Sequence, residues 1–175
     1  MIKKFIIEPP LMLEKLNIVH FGLKTFDFHY FCFIIQLSMQ DKDFIEWEEG
    51  VEKIKQSNSQ LLAEFKTWLE NKNLTAKTVK IHVGNVDFFV NHFLLRYDFK
   101  VPQDSVFEVR SYLGDFFIRK VSWASRNSIK ENIISFKKFY TFLNETNRTS
   151  SKDLNILNEI IKEEKGDWLK AVDRY

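Results

Sequence analysis

The chain has 175 residues, of which 45% are hydrophobic and 29% charged, and its formal net charge is +2. This length supports one domain with a substantial core, and the wealth of aromatic and charged residues argues against a disordered chain. A single cysteine excludes a disulfide framework and favours a reducing, cytoplasmic location, while five glycines and three prolines favour helices over tight hairpins.

Residues 1–38 form an N-terminal extension without a clear helical period. Residues 25–30 alternate like a strand and lead into an apolar run, 31–35, which is too short to span a membrane. One interpretation is a strand or helix packed on the domain. A competing hypothesis is that translation begins at Met39, and a native peptide covering His20 to Lys24 would contradict it.

From residue 44 onward, the apolar residues recur at helical spacing. A leading helix is predicted within 39–59, ending at the polar triplet of residues 57–59, and a second helix follows over 60–71. Thr75 is a predicted N-cap for a long helix that reaches about Leu95. The core bundle is predicted to span 60–148.

Two capping-box spacings, Ser105 to Glu108 and Ser128 to Glu131, predict the starts of the next two helices. The helix that begins at Ser128 has a clear apolar stripe, made of Ile129, Ile133, Phe136, Tyr140 and Leu143. A C-terminal extension, 149–175, is predicted to hold two shorter helices, at about 152–162 and 167–172. The predicted fold class is all-α, a compact bundle of four main helices with short extra C-terminal helices.

Two stretches resemble the N-terminal core-binding domain of tyrosine recombinases, the phage integrase family, which is a SAM-like four-helix bundle. The first is LLAEFKTWL at 61–69, followed by NLTAKTV at 73–79. The second is SRNSIK at 125–130, followed by FKKFYTFL at 136–143. The resemblance implies a DNA clamp that packs against one side of a recombination site, while a separate C-terminal domain performs catalysis.

The bundle segment is mildly basic, which is compatible with this implied role. Residues 60–148 carry 14 basic and 9 acidic side chains, a net charge of +5. Lys130 and Lys137 are seven residues apart and share a helix face, from which Lys138 is turned by about 100°. The candidate DNA-contacting residues are Lys77, Lys80, Arg119, Lys120, Arg126, Lys130, Lys137 and Lys138.

No catalytic residue is predicted. The catalytic domain of tyrosine recombinases needs phosphate-clamping arginines, a histidine-bearing motif and a tyrosine nucleophile. The nearest match in this sequence, the run His92 to Arg96, does not have the spacing of that histidine and arginine motif. Tyr175 lacks activating partners, and a phenol with a pKa of about 10 is inert at neutral pH. His20, His29 and Cys32 lack the second cysteine of a metal motif. We therefore expect no metal, cofactor, membrane or small-molecule substrate.

The sequence thus predicts a DNA-binding domain, from a mobile element or an accessory protein, that clamps phosphates of double-stranded DNA with modest base readout. One alternative is a protein-interaction module on the same bundle, favoured by the weak net charge and the acidic ends. Another is a truncated recombinase whose catalytic domain is encoded separately, so that a recombinase is a possible partner. Trp123 is expected to be buried rather than stacked on a base.

Overall fold

The computed structural model describes residues 28–96 and 100–174, and within 28–44 only the backbone. Helices and turns account for these ranges, without a β-strand among them, which confirms the all-α class. The alternating segment 25–30 is helical from Phe28 onward. Tyr175 and the side chains of His20, His29 and Cys32 lie outside the described residues. The start of translation at Met39 stays a prediction. Residues from Phe44 onward form one compact unit.

Six α-helices are present in the described chain. Their bounds are α1 Phe28–Asn71, α2 Ala76–Asp87, α3 Glu108–Ser111, α4 Phe117–Lys120, α5 Arg126–Glu145 and α6 Ser151–Ala171. Two π-helical segments, Phe88–Phe93 and Tyr112–Phe116, extend α2 and join α3 to α4. Short 3-10 turns lie at Pro102–Asp104 and Val172–Arg174.

Aromatic rings from several helices fill the core. Phe89 packs edge to face against Phe136 and Tyr112, with ring centroids 4.9 and 5.2 Å apart. Phe65 of α1 packs in the same way on Phe139 of α5, at 5.3 Å. All five rings are fully buried. Such pairs stabilise the fold by about 0.5–1.5 kcal/mol each beyond the area they bury, so they lock α1, α2 and α5 together.

The first helix continues through the polar triplet 57–59, where the sequence predicted an end. The buried side chain of Asn58 explains the difference, because its amide donates to the carbonyl of Val90 at 3.3 Å and to Asn91 Oδ1 at 2.9 Å. A buried amide with partners costs far less than an unpartnered one. The triplet is therefore a tertiary contact between α1 and the π-helical segment that follows α2.

The helix starts agree with the sequence at one predicted cap and differ at two. Thr75 caps α2 by accepting from the Thr78 amide, as predicted, and Asn73 ends α1 in the left-handed region with φ 59°. The capping box of α5 is formed by Ser125 and Ser128, three residues earlier than predicted. Ser105 forms no capping box, because its hydroxyl donates to the Val101 carbonyl at 2.7 Å.

The C-terminal segment forms one helix, α6, in place of the two short ones that were expected. It begins with a capping box, in which Ser150 and Asp153 each bond the backbone amide of the other. The hydrogen bonds from Ser150 lower the pKa of the Asp153 carboxyl. The helix runs through Gly166 because buried residues on both sides of it, Ile161 and Trp168, pack on the core.

Candidate nucleic-acid interface

The outer face of α5, which we define by Lys130, Ile134 and Lys137, is turned by about 100° from the buried stripe of the same helix. All five stripe residues predicted from the sequence are buried, whereas the three residues of the outer face are exposed. Neither lysine has an ion-pair or hydrogen-bond partner within the described chain. The two ammonium groups are therefore available to an anionic ligand, and Ile134, 48% exposed, lies between them.

Lys138 lies at the edge of this face that borders α2. Its charge acts on His82, a buried residue of α2 whose Nδ1 is 2.9 Å from Ser135 Oγ. Asn85 donates to the same hydroxyl at 3.0 Å, and that hydroxyl donates to the Glu131 carbonyl at 2.8 Å. This chain of hydrogen bonds fixes the crossing of α2 and α5. Burial, and secondarily the charge of Lys138, lower the pKa of His82 below 6.5.

Stability should therefore fall as the pH drops below 6.5. The unfolded chain takes up a proton on His82 near pH 6.5, while the folded protein resists doing so until lower pH, so protonation favours unfolding in that interval. We expect the free energy of urea unfolding to decline less with acidification in His82→Gln than in the wild type. The exposed His92→Gln variant serves as the matched control, and equal pH dependence in the two variants would contradict the assignment.

The two candidate lysines of α2 are three residues apart and so are neighbours on one side of that helix, but their surroundings differ. Lys77 is exposed and lies two residues after the N-cap Thr75, in the first turn, where free amide groups favour an anion. Lys80 instead lines a groove of about 730 Å³ between α1 and α2, which also contains the carboxylates of Glu70 and Asp87. Lys66 lines the same groove and pairs with Glu70 at 3.8 Å, so the lining holds as many carboxylates as ammonium groups. Lys77 lies outside this lining, beside the free amides of the first turn, and is the better placed of the two for phosphate.

The basic residues at the junction of α4 and α5 also separate into two kinds. Arg119 donates to Asp115 Oδ2 at 2.5 Å, one helical turn away. Arg126 donates to Asp173 Oδ2 at 2.6 Å and to the Leu169 carbonyl at 3.1 Å, and so connects α5 to the end of α6. Lys120 is exposed and has no such partner in the described residues. For the two arginines, DNA contact would compete with contacts inside the protein.

Trp123 is exposed, which corrects the expectation that it is buried. It lies in the short connection between α4 and α5, and 62% of its surface is accessible to solvent. Its ring contacts that of Phe88 edge to face, with the centroids 5.9 Å apart and the planes at 65°. One feature of the sequence favoured an exposed position, namely the basic residues on both sides of the tryptophan. Because the residue is large and apolar, burial was the stronger expectation.

The structure thus brings together part of the predicted set. Lys130 and Lys137 share the outer face of α5, with Lys138 at its edge and Lys120 before the start of the helix.

The described residues contain no helix that is apolar and long enough to cross a membrane. Within the same ranges, no three His, Cys, Asp or Glu side chains lie close enough together to hold a metal ion.

Fold and surface together define an all-α bundle with a lysine-bearing face and an exposed tryptophan at one end of it. The comparisons with known proteins add no family to this description: no family model, no curated protein and no solved structure matches the chain.

Proposed function

We propose that the chain is a DNA-binding domain that contacts phosphates through the outer face of α5 and the first turn of α2. One observation carries the proposal. Lys130 and Lys137 are exposed on one face, two helical turns apart, and no carboxylate within the described chain neutralises them. Lysines that neutralise phosphates release condensed counterions from DNA, and this release supplies most of the non-specific affinity.

The chemistry of this face favours the DNA backbone over the base edges. Lysine presents a compact charge, whereas the bidentate reading of guanine is performed best by arginine. The arginines near this face, Arg119 and Arg126, bond to Asp115 and Asp173. We therefore infer that the domain binds duplex DNA with little dependence on base sequence.

The resemblance to the core-binding domain of tyrosine recombinases supports the same proposal. The second half of its first stretch lies in α2 and its second stretch lies in α5. These helices pack directly on each other, and His82 and Asn85 of α2 bond to Ser135 of α5. The proposal assigns binding to this surface and no catalytic step.

The salt dependence of DNA binding tests the proposal. We expect fluorescence anisotropy with a blunt duplex to show an affinity that falls steeply between about 50 and 200 mM salt. In the double variant Lys130→Gln/Lys137→Gln, the slope of log K against log salt should shrink by about 1.8, since each lost phosphate contact removes about 0.9.

A charge-matched control separates this surface from general electrostatics. Lys162 and Lys165 are exposed on α6, and Lys162→Gln/Lys165→Gln removes the same net charge from another helix. We expect this variant to keep the wild-type slope. Equal changes in the two double variants, or no binding to duplex at low salt, would overturn the proposal.

A protein-interaction module is the second candidate, favoured by the exposed apolar residues. Ile134 and Phe107 are 48% and 62% exposed, and Ile134 lies in the middle of the lysine face. An apolar residue at that position contributes less to phosphate binding than to a protein contact. Failure of DNA binding in the experiment above, together with a stable complex that Ile134→Asp disrupts, would favour this second function.

A further inference from the structure

Trp123 provides a binding element that phosphate contacts alone do not use. The backbone beside it is held in place, because the Ala124 amide donates to the Val121 carbonyl at 3.0 Å and Ser125, two residues after the tryptophan, forms the capping box of α5 with Ser128. Among the described residues, the one ring contact of the side chain is edge to face with Phe88. An indole that is 62% exposed on a fixed backbone is a preorganised stacking surface.

The aromatic surface extends beyond this one ring. The half-buried ring of Phe88 has its centroid 6.3 Å from that of Phe116. It also stacks on His92, with the centroids 5.0 Å apart and an angle of 28° between the planes. The guanidinium of Arg96 lies over the Phe116 ring, 5.4 Å from its centroid. A row of three rings therefore runs from Trp123 through Phe88 to Phe116, and we call it the aromatic row. His92 and Arg96 border it.

Two lysines lie close in sequence to Trp123, at the exposed end of the aromatic row. Lys120 ends α4 three residues before Trp123, and Lys130 lies in the second turn of α5 after it. Both are exposed and neither has a partner in the described part of the chain. An exposed aromatic ring with exposed lysines before and after it in the sequence suits a nucleobase with its neighbouring phosphates, and aromatic and cationic residues together are typical of surfaces that bind single-stranded nucleic acid.

On the basis of the proposed function, we propose that Trp123 stacks on an unpaired base next to the duplex that the outer face of α5 holds. Bases inside a continuous duplex already stack on their neighbours, so the indole has no free face to meet there. A base at a single-stranded extension or gap offers that face. The chain then prefers duplex DNA with an adjoining unpaired segment over blunt duplex. Lys130 binds a duplex phosphate as proposed above, and Lys120, three residues before Trp123, binds a phosphate of the unpaired segment.

Two DNA probes of equal duplex sequence test this inference. One is blunt, and the other carries a short unpaired thymidine tail. With full-length wild-type protein we expect tighter binding of the tailed probe in anisotropy titrations. Trp123→Ala should lose about 5- to 150-fold in affinity for the tailed probe, the range expected for one stacked base, and less than about twofold for the blunt probe. Trp123→Phe should retain most of the preference.

A crosslinking measurement provides a readout that does not depend on a variant. With 5-iodouracil in the unpaired tail, we expect ultraviolet crosslinking of the wild-type protein to a peptide that contains Trp123. Equal affinity of the wild type for both probes, an equal loss on both in Trp123→Ala, or a crosslink elsewhere would overturn the inference while leaving duplex binding intact. If neither probe binds at low salt, this inference and the proposed function both fail.

Discussion

Phe136→Ala should destabilise the folded protein by about 3–5 kcal/mol, the largest loss expected from any single change considered for this chain. Phe136 is fully buried on the stripe of α5, and its ring packs on Phe89 at 4.9 Å and on Tyr112 at 5.5 Å. Removal of the ring forfeits its burial and leaves a cavity that fixed neighbours fill only in part. The measurement is urea or guanidinium unfolding followed by circular dichroism at 222 nm, the helical band.

Ile134→Ala is the matched control on the same helix. Ile134 is two residues away and 48% exposed, so its truncation removes little buried surface, and alanine has the higher helix propensity. We expect a change within about 0.5 kcal/mol. Comparable losses in the two variants would mean that the buried stripe of α5 does not hold the core together as the contacts indicate.

The buried stripe of α5 was predictable from sequence because helical periodicity is a local property. Residues at i, i+4, i+7, i+11 and i+14 share one face whatever the rest of the chain does, and all five members of the stripe are buried. The all-α class follows from the same periodicity, repeated along the chain. The cap at Thr75 is also local, since its hydroxyl meets an amide three residues away.

Helix continuity was harder to predict because it depends on distant partners. The triplet 57–59 has the composition of a helix end, yet Asn58 finds its two acceptors at Val90 and Asn91, 32 and 33 residues further along. Gly166 costs α6 about 1 kcal/mol relative to alanine. The burial of Trp168 and Leu169 offsets that cost and carries the helix onward. A local sequence pattern contains neither the acceptors of Asn58 nor the core residues against which Trp168 and Leu169 pack.

The candidate interface was predictable only in part for the same reason. Periodicity places Lys130 and Lys137 on one exposed face, and the structure agrees. The partner of Arg126 is Asp173, 47 residues away, and so the pair is invisible to a local pattern. The exposure of Trp123 depends on the path of the connection between α4 and α5 and on the contact with Phe88, and neither can be read from composition.

The second large effect is expected at Gly114, in the π-helical segment that joins α3 and α4. A Cβ atom at this position would lie 3.0 Å from Trp168 Nε1 and 3.3 Å from its Cδ1. Trp168 is only 2% exposed, so the indole has little room to move away. Gly114→Val should therefore force α6 outward and destabilise the protein by about 1–3 kcal/mol, the usual cost of overpacking.

Gly84 in α2 is the matched control, because nothing lies within 4 Å of a Cβ built there. Gly84→Ala should stabilise the protein by about 0.5–1 kcal/mol, since alanine loses less backbone entropy in a helix. Denaturant unfolding gives the two free energies, and hydrogen exchange locates the change. In Gly114→Val the amides around Trp168 should exchange faster, whereas unchanged protection there would show that α6 does not depend on this close approach.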